Sequence, residues 1–370
     1  MKCDSISYTA YQPSIMAAIK PRGYLSDDCY HFEEEQADAI IRTTSYHRED
    51  FNQSVIWFSD QEHQGVRASI STSFQRPPSI GDGALDRLPQ ELLNNIFLSL
   101  DIRSLTKCRQ VNLRLRQAVD SLSEYQAICT HALNVVCALL RTRLARNVSL
   151  FDFYQALCTK NCDLCPRFGG FIFLPTWRRC CFMCLRSGDL ELQMQTVVAI
   201  RHQLSLLSVA AIRQLSSFKT LPGLYSLDEG SVPKARVVIA PVEQAMKAAE
   251  EQQEGVQEAA LARFRQDRKL TLMSSCALPY YDRQSRTTEC GVSCAGAQRA
   301  IEKAPVGSLA MGGKWANMAR DIIYGKDSFL EHFKSCKEAQ LLWESSNEGS
   351  LEPPDLPQGA KDGGYFNRRE

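Results

Sequence analysis

A chain of 370 residues with 44% hydrophobic side chains and a formal net charge of +1 is long enough for two or more globular units and has no overall electrostatic pull toward nucleic acid. No apolar run approaches the eighteen or so residues that span a bilayer, and the N-terminus, Met-Lys-Cys-Asp-Ser-Ile-Ser-Tyr, lacks the apolar stretch of a secretory signal, so no membrane association is expected. Fifteen cysteines in such a chain point to a reducing intracellular compartment, cytoplasmic or nuclear, where clustered thiols serve as metal ligands more often than as disulfides.

Residues 1–83 are polar with scattered aromatic and acidic side chains and end in Ser-Phe-Gln-Arg-Pro-Pro-Ser-Ile-Gly-Asp-Gly, which predicts a disordered or linker segment. The pattern changes at residue 84. Leu88, Leu92, Leu93, Ile96, Phe97 and Leu100 recur at three- and four-residue steps, an apolar helical stripe with Pro89 tolerated in its first turn. A second helix is expected after Asp101, with Ile102, Leu105 and Cys108 inward, and a third near Asn112, with Leu115, Val119 and Leu122. Three helices this short cannot bury all of these residues among themselves, so a surplus apolar face calls for a partner.

The run Leu88-Pro89-x-Glu91-Leu92-x3-Ile96-x3-Leu100-x4-Leu105-x5-Val111-x3-Leu115 resembles an F-box, the helical module that docks on the Skp-type adaptor of cullin-RING ubiquitin ligases. The resemblance places the module at 84–128 and implies a Skp-type adaptor and a cullin scaffold as partners. It makes Leu88, Pro89, Leu92, Ile96, Leu100, Leu105, Val111 and Leu115 the adaptor-binding residues. Leu115 stands where many F-boxes carry an aromatic, commonly Trp. Downstream, Leu204 to Leu215, the Leu221–Tyr225 turn, Leu278 to Asp282, Gly291 to Cys294 and Phe329 to Trp343 follow an order similar to that of a group of fungal F-box proteins, extending the resemblance over about residues 84–344.

Residues 129–240 are read as a helical region with zinc knuckles. A helix is predicted from Ser123, with a Ser-x-x-Gln capping box to Gln126 and a buried face of Tyr125, Ile128, Ala132, Val136 and Leu139. Then come Cys162-x2-Cys165, a fifteen-residue gap and Cys181-x2-Cys184. Two such knuckles supply four thiolates, which fill a tetrahedral zinc and leave no open position, so the metal is structural. Gly169 and Gly170 ahead of a short apolar run predict a small β-hairpin between the knuckles, one that depends on the metal for its order. Cys180 can replace Cys181 through a Cys-x3-Cys spacing, and disulfides or buried free thiols are the competing explanations.

Eight basic residues between 139 and 186 (Arg141, Arg143, Arg146, Lys160, Arg167, Arg178, Arg179, Arg186) face only Asp152 and Asp163, and favour deprotonated sulfurs nearby. They also carry the alternative function, a nucleic-acid-binding zinc protein in which Arg141, Arg143, Arg178 and Arg179 contact phosphates while Phe171, Phe173 and Trp177 stack on bases. Binding of nucleic acid is not expected. A RING is excluded by Ser187 to Ile200, which holds no Cys or His.

Residues 241–270 form a charged helix or linker, read as a solvated face. Residues 271–344 form a C-terminal Cys/His helical segment. There, His332 and Cys336 lie four apart on a helix with Phe329, Phe333 and Trp343, and a second metal site would take Cys294 as third ligand. The related proteins show Cys-x-Gly-Cys where this chain has Cys294-Ala-Gly-Ala297. Either Cys290 substitutes as the fourth ligand or the His332–Cys336 pair simply packs in the core. Residues 345–370, with Pro353, Pro354, Pro357 and several Gly, predict a disordered tail.

The fold class expected is therefore mainly α, a three-helix F-box followed by a helical region with a small zinc-stapled β-hairpin. The function expected is a non-catalytic adaptor recruiting an unidentified protein substrate to a cullin-RING ligase. No Walker loop, Gly-x-Ser-x-Gly or His-Glu-x-x-His is present.

Overall fold

The computed structural model describes residues 30–71, 88–204, 207–225, 235–251, 267–303 and 318–364, and it is mainly helical. Among the described residues no helix is long and apolar enough to cross a membrane.

The N-terminal segment departs from its composition. Residues 30–71 contain α1 (Ala37–Thr44), β1 (Ser45–Tyr46), α2 (Glu49–Gln53) and α3 (Asp60–Ser71) where a disordered or linker segment is predicted. Ile40, Phe51, Val55, Ile56 and Phe58 are buried. These few apolar side chains do not build a core of their own; they complete cores made by distant residues, which a composition average cannot register. Phe51 stacks on Phe182 with ring centroids 3.6 Å apart. The expectations for residues 1–29 and 72–87 lie outside the described residues.

The helical module follows as α4 (Gln90–Ser99), α5 (Ile102–Val111) and α6 (Leu113–Asp120). Asp101 and Asn112 cap the second and third helices by accepting the backbone N–H groups of Ser104 and Leu115. The module is wired to what comes after it, because Leu150 N–H donates to the Leu100 carbonyl and Ile102 N–H to that of Val148, each at 2.9 Å. Next come α7 (Ser123–His131), α8 (Leu133–Thr142) and α9 (Leu150–Leu157). The capping box predicted at Ser123 does not form: Leu122 holds the cap position, and Gln126 donates instead to the Asp120 carbonyl at 2.8 Å. The predicted single helix breaks at Ala132.

The hairpin appears as β2 (Phe171–Phe173) and β3 (Arg178–Cys180), followed by α10 (Phe182–Ser187). A second small sheet has the strand order β4 (Met194–Thr196), β6 (Val238–Pro241), β5 (Phe218–Lys219), with α11 (Val197–Gln203), α12 (Val209–Gln214) and α13 (Val242–Glu250). The charged helix expected after residue 241 is not simply a solvated face: Val242, Ala245, Met246 and Ala249 at helical spacing bury one side of α13 against Ile200, Leu204 and Ile212. Residues 252–266 lie outside the described set.

The C-terminal part holds α14 (Arg268–Leu272), β7 (Ser275–Ala277), the hairpin β8 (Tyr280–Tyr281) with β9 (Thr288–Glu289), β10 (Ser293–Cys294), α15 (Ala295–Lys303), α16 (Lys326–Ser335), α17 (Lys337–Ser345) and α18 (Gln358–Lys361). Two long-range pairings tie the chain together. β7 adds to the free edge of β2, with Ile172 opposite Cys276, so the hairpin becomes a three-stranded sheet. β10 pairs with β1, Ser45 opposite Cys294, joining the N-terminal segment to the C-terminal helices. Residues 345–364 also correct the prediction of a disordered tail: Ala360 is buried, Glu49 N–H donates to the Gly363 carbonyl at 2.8 Å, and Arg299 pairs with Asp355 at 2.9 Å.

Candidate functional site

The helices of the module split the predicted apolar stripe in two. Leu93 and Phe97 share one face of α4 and are buried, while Leu92 and Ile96, one residue earlier and so about 100° around the helix, are 50% and 38% exposed. Val111, at the end of α5, is 67% exposed, and Pro89 is exposed at the start of α4. Leu105 and Leu115 are buried, and Leu88 and Leu100 pack half-buried against the main core. Of the residues expected to bind an adaptor, Pro89, Leu92, Ile96 and Val111 are thus exposed, whereas Leu105 and Leu115 lie in the core. Arg109 is anchored between α5 and α6 by Asp120 at 2.5 Å.

The four knuckle cysteines converge. The sulfurs of Cys162, Cys165, Cys181 and Cys184 all lie within 4.8 Å of one another, with Cys165 Sγ 3.6 Å from both Cys181 Sγ and Cys184 Sγ. Thiolates bound about 2.3 Å from one tetrahedral zinc sit roughly 3.8 Å apart, so the donor set and spacing fit such an ion. They do not fit disulfides, whose sulfurs are about 2.05 Å apart.

The local chain explains the convergence. Cys162 N–H donates to the Arg167 carbonyl at 2.8 Å, curling the first knuckle, and Asp163 and Arg179 exchange backbone and side-chain bonds at 2.9 and 2.8 Å that clamp it to β3. Gly169 leaves room where the chain returns: a Cβ there would stand a tight 3.0 Å from Arg179 Cγ and from the Asn161 backbone. At the end of β3, Cys180 lies opposite Phe171 and is fully buried, while Cys181 leaves the strand and caps α10. Cys181, not Cys180, is therefore the third member.

With only protons to share, the four thiols pull apart. The hydrogen bond with Cys162 drives Cys165 far down and pushes Cys181 and Cys184 well up. In Cys162 the raising effect of Cys165 is outweighed by the hydrogen bonds of Cys181 and Cys184, leaving it at about 7. A divalent cation removes that competition by holding every sulfur as thiolate.

The hairpin between the knuckles is better buried than its sequence suggests. Phe171, Ile172, Phe173 and Leu174 are all sealed in the main core, so the strands have apolar contacts of their own beside the cysteine cluster.

A second group joins Cys294, His332 and Cys336, again with ligand atoms within 4.8 Å of one another. Cys290 is not a member. It is exposed, and Gly291, with φ +76°, turns the chain between it and β10, so the substitution of Cys290 for a missing fourth ligand is corrected.

Of the four arginines of the nucleic-acid alternative, Arg143 is exposed and the other three are already engaged. Arg179 is buried and donates to the Ala156 and Leu278 carbonyls at 2.6 and 3.0 Å, and burial brings its guanidinium down to about 10. Arg178 pairs with Glu191 and with Glu243, and Arg141 with Glu62 at 3.1 Å. Phe171 and Phe173, the proposed stacking platforms, are wholly buried; Trp177 packs edge-on against Phe153.

The helical module has a counterpart among known families. Residues 85–127 match the F-box domain. No curated protein and no solved structure matches the chain. F-box domains bind Skp-type adaptors of cullin-RING ligases, and proteins that carry them are typically non-catalytic adaptor subunits. The described F-box helices, α4 to α6 and the first half of α7, keep Leu92, Ile96 and Val111 on their surface. Sequence periodicity had found the right helices here but had merged two faces of α4 into one.

Proposed function

We propose that this protein is an F-box adaptor that recruits a protein substrate to a cullin-RING ubiquitin ligase through a Skp-type adaptor, with zinc at Cys162, Cys165, Cys181 and Cys184 as a structural staple. The observation that carries the reading is the F-box at residues 85–127 whose α4 and α5 leave Leu92, Ile96 and Val111 exposed while Leu93, Phe97 and Leu105 fill the core beneath. Large apolar side chains kept in water on an otherwise well-packed module suit a partner surface. The zinc is non-catalytic in this reading because four cysteines complete its coordination.

The test is a pull-down of the full chain with the Skp-type adaptor and the cullin. Leu92→Asp with Ile96→Asp places two charges on the exposed face without touching the buried one, so the variant keeps its circular dichroism and loses the adaptor. Undiminished recovery of the adaptor by this folded variant refutes the docking surface. Salt-sensitive binding of oligonucleotides with no adaptor recovered would favour the nucleic-acid alternative instead.

A further inference from the structure

Both cysteine clusters are built on the same local device. In the first, Cys181 caps α10, and its Sγ accepts the backbone N–H of Cys184 at 3.4 Å. The helix thereby delivers a second sulfur, that of Cys184, to the same centre. In the second, Cys294 ends β10 immediately before α15, and its Sγ accepts the backbone N–H of Ala297 at 3.3 Å. Ala297 is fully buried and holds, relative to Cys294, the station that Cys184 holds relative to Cys181.

The other half of the second cluster comes from the junction of α16 and α17. Cys336 caps α17, and His332 lies one turn earlier on α16. Cys294 Sγ and Cys336 Sγ are 3.7 Å apart, far beyond a disulfide and near the roughly 3.8 Å between two thiolates on a tetrahedral zinc. Tyr324 stacks on the His332 ring with centroids 4.7 Å apart, and its Oη lies 3.4 Å from Nδ1. An outer partner on one ring nitrogen is the usual arrangement for a metal-bound imidazole, whose other nitrogen is then the ligand.

We infer that Cys294, His332 and Cys336 bind a second zinc ion through three protein ligands, with the fourth position, which a cysteine at residue 297 would fill, taken by water. Two thiols and an imidazole form a soft N/S donor set that suits zinc, and binding releases the two thiol protons to solvent. The site holds its metal less tightly than the four-cysteine cluster, because it has two thiolates fewer, one replaced by an imidazole and one by a water that can leave. Its position gives it a structural consequence. Cys294 lies in the strand paired with β1, and Cys336 joins the two helices that, with α1, enclose Ile40, Phe333 and Trp343. The ion staples the N-terminal segment to the C-terminal helices, a unit whose apolar core is small.

The experiment measures zinc per chain in the full-length protein purified under reducing conditions without chelator, followed by a graded chelator titration. Two zinc ions are expected, one leaving at lower chelator concentration than the other. Cys336→Ser removes the weakly held ion and Cys165→Ser the tightly held one. Ala297→Cys is the decisive variant, since it adds the missing thiol: its second zinc should survive chelator concentrations that strip the parent chain. Tyr324→Phe provides an independent readout, a loss of affinity at the weak site on the order of tenfold. The inference is overturned if the parent binds a single zinc insensitive to Cys336→Ser. It is overturned equally if the weak site responds neither to Ala297→Cys nor to Tyr324→Phe, or if unreduced, denatured protein lacks two titratable thiols, as a Cys294–Cys336 disulfide would require. None of these outcomes bears on adaptor recovery, which tests the F-box reading separately.

Discussion

Truncating Phe51 tests whether the N-terminal segment belongs to the core or merely lies against it. The ring is fully buried, stacked on Phe182 at 3.6 Å on one side, with the Arg48 guanidinium 3.6 Å from its centroid. Replacing a buried Phe by Ala costs about 3–5 kcal/mol through lost transfer free energy and the cavity left behind. Loss of the aromatic pair, about 0.5–1.5 kcal/mol by itself, places Phe51→Ala in the upper half of that range. Against a urea slope of about 2–3 kcal/mol/M, a cost of about 4 kcal/mol moves the unfolding midpoint down by roughly 1–2 M. The assay is equilibrium urea unfolding followed by tryptophan fluorescence. Trp57→Ala is the control: that side chain is 41% exposed and its removal should cost about 1 kcal/mol or less. Phe182 opens α10, the helix that also carries Cys184, so Phe51→Ala should in addition loosen zinc retention by the knuckle cluster. A midpoint within about 0.3 M of the parent, with the fluorescence baseline unchanged, would refute the argument and leave residues 30–71 as an appendage.

Two further perturbations read the interior. Cys165→Ser should abolish zinc at the knuckle cluster, measured as one equivalent lost per chain, yet leave the β-sheet signal largely intact because Phe171–Phe173 are held by the core; global unfolding on loss of this one ligand would contradict that division of labour. Asp321 gathers Arg186 at 2.6 Å, Arg320 at 2.8 Å and Arg48 at 3.4 Å. Burial acts to raise its carboxyl, but the charge of Arg320, its hydrogen bond, and the charges of Arg186 and Arg48 prevail and hold it below the ordinary 3.8. A depressed carboxylate contributes stability that is present above the unfolded value and lost as pH falls through the folded one, so this part of the stability should disappear below about pH 4. Asp321→Asn should cost about 1–3 kcal/mol at neutral pH, because Arg186 and Arg320 lose the shared carboxylate while Arg48 keeps its paired bonds to Asp50 at 2.7 Å. It should also flatten the acid limb of the stability profile; an acid midpoint and neutral stability equal to the parent's would dismiss the role given to this cluster.

What the sequence determined by itself was local. Three- and four-residue apolar spacing located the F-box helices, because that spacing places side chains on one side of a helix whatever surrounds it. Cys-x2-Cys spacing identified the four knuckle cysteines, because a short turn brings two such thiols together before any tertiary contact forms. Tertiary structure decided everything that depends on what a face meets. It turned Leu93 and Phe97 inward and left Leu92 and Ile96 in water, buried Arg179, Phe171 and Phe173, and chose Cys181 over its neighbour by ending β3 at Cys180. It also ordered residues 30–71 and 345–364, the described parts of the two regions whose composition predicted disorder. Phe51 and Ala360 sit in polar stretches too weak to fold by themselves, and they are buried because residues more than a hundred positions away in the chain, Phe182 against Phe51 and Tyr46 beside Ala360, supply the other side of the contact.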